Sequence, residues 1–111
     1  MKNYILIALA SFFSIAINAQ EKPKNKEIVE VNGQCGMCKK RIEKAALSVK
    51  GVRAAEWSVD NKQLELFLNP KKVDVLEVEK AIAKVGHDTK HVKATEEEYN
   101  SLHSCCKYER K

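Results

Sequence analysis

The sequence predicts an α+β sandwich: two helices laid on one face of a four-stranded antiparallel sheet. Three observations carry this reading. Short β-rich runs occur at residues 27–31, 52–59 and 63–68, the last two placing apolar residues on one face by alternation. Two other stretches, residues 37–50 and 73–85, repeat their apolar residues at helical spacing. With a weaker β-rich run at 89–93, the order is strand, helix, strand, strand, helix, strand, which is the ferredoxin-like βαββαβ arrangement.

Each element has a local reason. The run EIVEV at 27–31 is rich in β-branched residues, and the loop 32–36 (NGQCG) follows with two glycines that permit tight backbone. In the first helix Cys38, Ile42, Ala45, Ala46 and Val49 make one apolar face, with Lys39, Lys40, Glu43 and Lys44 outside. Gly51 supplies its stop. Ala55, Trp57 and Val59 share one face of the second strand, and Leu64, Leu66 and Leu68 one face of the third. The turn 60–62 (DNK) joins these two as a hairpin, because Asp and Asn tolerate left-handed backbone. Asn69-Pro70 ends the hairpin. The second helix aligns Val75, Val78, Ile82 and Val85 and stops at Gly86.

The segments outside this unit differ in character. Residues 1–19 have a charged start, an apolar stretch broken only by serines and small residues at its end, the layout of a cleavable signal peptide. That stretch is marginal for a bilayer, which needs about 20 apolar residues. The sequence therefore predicts export, into the periplasm if the source is Gram-negative, and no stable membrane insertion after cleavage. Residues 20–26 read as a polar leader, residues 27–93 as the folded domain, and residues 94–111 as a tail carrying His103, Cys105 and Cys106. Within the tail, Thr95 and Glu98 have the spacing of a capping box. The formal charge of +5 is spread among 20 basic and 15 acidic residues. No basic stripe is interleaved with aromatics, so nucleic-acid binding is not expected. No nucleophile–base–orienter set is recognisable, so an enzyme is not expected either.

The chemistry concentrates in Cys35-Gly36-Met37-Cys38. One thiol lies in a glycine loop and the other on the first turn of a helix, whose free N–H groups and dipole favour thiolates. Lys39, Lys40 and Arg41 add positive charge where a helix alone gains nothing from it; they read either as a solvated face or as company for two thiolates around a monovalent ion. Such a pair suits a soft ion. A closed zinc site wants four ligands, so it would need help from elsewhere. The Met37 thioether is a weaker donor candidate. The tail cysteines have three readings: disulfides with Cys35 and Cys38, a four-sulfur site completed by folding back, or a separate metal-catching tail. Four cysteines allow three pairings, and the sequence does not choose among them.

The run from strand through glycine loop, CxxC, Lys/Glu-rich helix, Gly51-Val52, hairpin, Asn69-Pro70, second helix and Gly86 resembles the heavy-metal-associated domain. That family includes copper chaperones, modules of copper-exporting ATPases and periplasmic mercury-binding proteins. The resemblance implies that Cys35 and Cys38 are the primary metal ligands. It also places His87 at the family's tuning position, as a third ligand or a proton-linked switch; the other reading is an ordinary surface histidine. The family's motif usually has a methionine two residues before the first cysteine, a core anchor for the loop; here that position is Gly33.

The function expected from this is a Cu(I) carrier that exchanges its ion with a metal-transporting protein or metal-accepting domain. It would be a monomer, or a metal-bridged dimer. Hg(II) scavenging and Zn(II) binding are alternatives on the same fold, with His103, Cys105 and Cys106 as secondary donors beside His87. A thiol–disulfide redox protein, or a disulfide-stabilised protein without a transport role, is a further alternative. Thioredoxin-like folds, however, place a cis-proline opposite the pair, and neither Pro23 nor Pro70 is placed for that.

Overall fold

The structure is a computed structural model and describes residues 25–110. The expected signal peptide and most of the polar leader lie outside these residues. Strand β1 is Lys26–Glu30, helix α1 is Gly36–Leu47, β2 is Val52–Trp57, β3 is Gln63–Leu68, and helix α2 is Val75–Lys84. A five-residue helix α3, Glu96–Asn100, and a single 3-10 turn, Ser104–Cys106, follow. The sheet runs β1-β3-β2, antiparallel throughout, with Val29 opposite Leu64 and Trp57 also opposite Leu64.

The alternation seen in the sequence decides which face is buried. Leu64, Leu66 and Leu68 point inward, with Val29, Val31 and Trp57 beside them. Ile42 and Ala46 of α1 and Val78 and Ile82 of α2 close the sandwich from above. Asp74 caps α2 by accepting from the N–H of Glu77 at 3.1 Å. Gly51 and Gly86 take φ of +99° and +106° at the two helix ends, a region that excludes most side chains. In the hairpin turn the left-handed residue is Lys62, φ +60°, rather than Asp60 or Asn61.

The fourth strand does not form, so the described sheet has three strands where the sequence led us to expect four. Residues 88–90 start along the edge of β1: the N–H of Asn32 donates to the carbonyl of Asp88, and that of Lys90 to Glu30. Only Val31 and Thr89 form a bridge. Glu79, a buried carboxylate on α2, then captures the chain. It accepts from the Thr89 hydroxyl at 2.7 Å, the His91 N–H at 2.7 Å and the His91 ring at 2.9 Å. With Thr89 bonded back to Val92, the segment turns instead of extending. A backbone donor satisfied by a buried side chain is not available to a ladder.

Beyond that turn the chain re-enters the fold. Leu102, Cys106 and Tyr108 are buried in the same core as the sheet and helices. The Tyr108 hydroxyl donates to the carbonyl of Gly86 and accepts from the N–H of Asp88, both at 2.8 Å. Arg110 grips both carboxylate oxygens of Asp88, at 2.8 and 3.0 Å, and also the carbonyl of Ala94. The Tyr99 hydroxyl donates to the carbonyl of Tyr108. The expected capping box on α3 is present. Residues 94–110 are therefore a strap tied to the loop after α2, where the sequence had left a tail. Among the described residues no helix is long and apolar enough to cross a membrane.

Candidate metal centre

Cys35 stands at the head of α1 with extended backbone, as its N-cap residue. The neutral thiol makes no capping hydrogen bond. Its thiolate is another matter: the N–H of Cys38 foremost, then the Cys38 thiol, the N–H of Met37 and the Cys106 thiol, lower its pKa from 9.0 to about 7, against the opposing effect of burial. Cys38, one turn on, is fully buried, and its sulfur lies 3.6 Å from that of Cys35.

Trp57 holds this loop in place. Its indole N–H donates to the carbonyl of Val31 at 2.9 Å. Its ring lies so close to Gly33 that a Cβ there would sit 3.0 Å from the ring and 3.2 Å from Cβ of Cys38. Any side chain at position 33 would press on the Trp57 ring and on Cys38, so Gly33 lets ring and loop approach closely. The sequence showed Trp57 on the same face of the second strand as Ala55 and Val59; nothing in it tied that ring to the cysteine loop, about twenty residues away.

The strap brings the other two thiols to the same point. Cys105 and Cys106 place their sulfurs 3.9 and 3.8 Å from that of Cys35. Cys35, Cys105 and Cys106 all lie within 4.8 Å of one another; Cys38 stands outside that trio. Cys38 contacts the carbonyl of Cys106 at 3.9 Å. Cys105 is exposed, and its sulfur meets the Met37 thioether at 3.6 Å. Cys106 is fully buried, and burial first, then its bonds to Cys38 and Cys35, push its pKa up, so it remains a thiol. All four cysteines are free.

The histidines are placed differently. His87 is not on the surface: it is fully buried, donates through Nδ1 to the carbonyl of Asn32 at 2.9 Å, and stacks on Tyr108 with ring centres 5.6 Å apart. Burial above all lowers its pKa, so the ring is neutral, and Nε2 has no hydrogen-bond partner. It is not one of the three clustered donors. His103 is exposed and begins the 3-10 turn, also outside the cluster. Lys39 is paired with Glu43 rather than with a thiolate, while Lys40 is exposed. Sequence reasoning missed the Asp88–Arg110 and Tyr108 ties. The only available signal was an aromatic and a basic residue shortly after the Cys-Cys pair, which is common enough to mean little.

A three-stranded α+β sandwich with a cysteine pair at the head of its first helix defines a small thiol-site domain. The chain belongs to the heavy-metal-associated domain family, which matches residues 28–88, more than half of its length. It is 35% identical over 65 residues to the copper chaperone CopZ of Staphylococcus aureus, covering 58% of this chain and 96% of that protein. A solved CopZ metallochaperone superposes with a TM-score of 0.56 at 34% identity, covering 58% of this chain and 97% of the other. The N-terminal domain of the zinc(II) ATPase ZiaA, solved in its apo form, gives a TM-score of 0.53 at 29% identity over 60% of this chain and 64% of that one. The strap, with Cys105 and Cys106, lies beyond residues 28–88, which the family matches.

Proposed function

We propose that this protein is an exported carrier of Cu(I), which takes the ion between Cys35 and Cys38 and passes it to a thiol-bearing acceptor, such as a metal-transporting protein. One observation carries the reading: Cys35 is a half-exposed thiolate near neutral pH, 3.6 Å from a second thiol at a helix head. Soft thiolate donors select Cu(I), and an under-coordinated ion between two of them is open to attack by an incoming thiolate. The similarity to CopZ supports copper as the cargo. The exposed Lys40 beside the site favours an acidic acceptor surface. Export rests on the layout of residues 1–19.

Native mass spectrometry of the reduced protein with limiting Cu(I) tests this. One ion per chain is expected, and none when Cys35→Ser and Cys38→Ser are combined. Unchanged uptake by that double variant would sink the reading.

A further inference from the structure

We propose that the strap makes this a self-capped site, in which Cys105 and Cys106 join Cys35 as a three-thiolate set that retains the ion until the strap is displaced. This rests on the CxxC pair being the point of entry, and adds where the ion comes to rest.

Geometry separates the two sets of donors. With metal–sulfur bonds of about 2.3 Å, a linear two-sulfur site needs its sulfurs about 4.6 Å apart, and a trigonal one about 4.0 Å. Cys35 and Cys38 are 3.6 Å apart and must open by about 1 Å to hold an ion linearly. Cys105 and Cys106 lie 3.9 and 3.8 Å from Cys35, with all three within 4.8 Å. The centre of such a triangle is about 2.2–2.5 Å from each sulfur, which is bonding distance. The trio is spaced for a soft cation before any arrives; the pair is not.

The donors are also held there. Tyr108 is locked between Gly86 and Asp88, Arg110 is clamped on Asp88, and the Gln34 side chain donates to the carbonyl of Lys107 at 3.3 Å. Ordering of the extra ligands is therefore complete before binding, which removes a cost that a loose tail would impose. Cys105 caps the exposed side of Cys35, where an acceptor's thiolate would approach. The strap thus stands in for the acceptor within the same chain. In the exchange, bonds from the ion to the sulfurs of Cys105 and Cys106 form, the bond to Cys38 breaks and Cys38 regains a proton. Cys105 and Cys106 each release one proton to solvent. Copper stays Cu(I) throughout.

The test uses the reduced full chain, loaded anaerobically with one equivalent of Cu(I). X-ray absorption counts sulfur neighbours, and competition with a cuprous chelator measures retention. Three sulfur neighbours are expected in the unaltered chain. Two are expected in Cys105→Ser/Cys106→Ser, which should still bind one ion but yield it to about tenfold less chelator. Because Cys106 is buried, Cys105→Ser alone, an exposed change that leaves no cavity, must weaken retention in the same direction. Two sulfurs in the unaltered chain, with retention equal in all three proteins, would overturn the self-capped site and leave the CxxC carrier standing. No uptake by the unaltered chain would overturn both.

Discussion

The two cysteine pairs meet at one point but are held by different parts of the molecule. Cys35 and Cys38 rest on the sandwich itself, through α1 and the Trp57 ring beneath Gly33. Cys105 and Cys106 rest on the strap, tied to residues 86–88 by two side chains, Tyr108 and Arg110. Each pair has one fully buried member, Cys38 or Cys106, and one that faces outward. The difference lies in what must break to move them. Moving the first pair means disturbing α1 and the sheet; moving the second means withdrawing Leu102, Cys106 and Tyr108 from the core and releasing the polar contacts at residues 86–88. A site built half on scaffold and half on strap can be opened from one side only.

The largest expected effect falls on the scaffold side. Trp57→Ala removes a ring that is 1% exposed, together with its bond to Val31. Loss of a buried aromatic of this size costs about 3–5 kcal/mol, a large share of the stability of a small domain. Denaturant unfolding should show it. In native conditions Cys38 should become alkylatable before Cys106; simultaneous exposure of both would mean that scaffold and strap open as one unit.

The next effect is chemical. At pH 7 a thiol with a pKa of about 7 is half ionised, against about 1% for one at 9.0; allowing for the lower intrinsic nucleophilicity of the weaker base, Cys35 of the metal-free protein should alkylate about fivefold faster than an ordinary thiol. The rate should reach half its maximum near pH 7. Because the folded pKa is the lower one, the thiolate's contribution to stability is complete only above 9.0 and fades as pH falls through 7. Peptide mapping after a short pulse of iodoacetamide identifies the site. Equal labelling of Cys35 and Cys105 would remove the chemical distinction between the pairs.

A smaller effect is expected at the strap's anchor. Arg110→Ala leaves the Asp88 carboxylate buried with the Ala94 N–H as a remaining partner. Losing a charge-assisted pair at a partly exposed arginine should cost about 2 kcal/mol. It should appear as faster hydrogen exchange at the Cys106 amide, which donates to His103, with little change in β3. Equal loss of protection in β3 would show that the strap is part of the core's cooperative unit.

How much of this was legible depended on the range of the interaction. β3 with its inward leucines, the two helices and both glycine stops follow from periods of two and 3.6 residues, which any local stretch displays. So does the thiol pair at the head of α1. The fourth strand failed because Glu79, ten residues earlier and on another element, takes the hydrogen bonds a ladder would need. A carboxylate on α2 looks solvated in the sequence; only the tertiary structure buries it. The convergence of Cys105 on Cys35 spans seventy residues and depends on Asp88 meeting Arg110. Folding back was one of three arrangements the sequence allowed, and nothing local favoured it. His87 was visible as a candidate by position; its Nδ1 is bonded to Asn32, its ring stacks on Tyr108, and it lies outside the sulfur trio.

The smallest expected effect probes whether the strap is one piece. Thr95 accepts from the N–H of Glu98 at 3.0 Å, and Glu98 returns the bond to the N–H of Thr95 at 2.8 Å. Removing the hydroxyl in Thr95→Ala should cost about 1 kcal/mol. α3 has no buried residue of its own, so its first turn should fray. Tyr99, on the same helix, packs edge-on against Tyr108 with ring centres 5.0 Å apart. If the strap is held chiefly at residues 86–88, exchange should quicken over residues 96–100 while the Cys106 amide stays protected and Cu(I) retention is unchanged. If Cys106 loosens as well, α3 is the hinge that positions both strap thiols, and the weak edge of the site lies ten residues before its ligands rather than beside them.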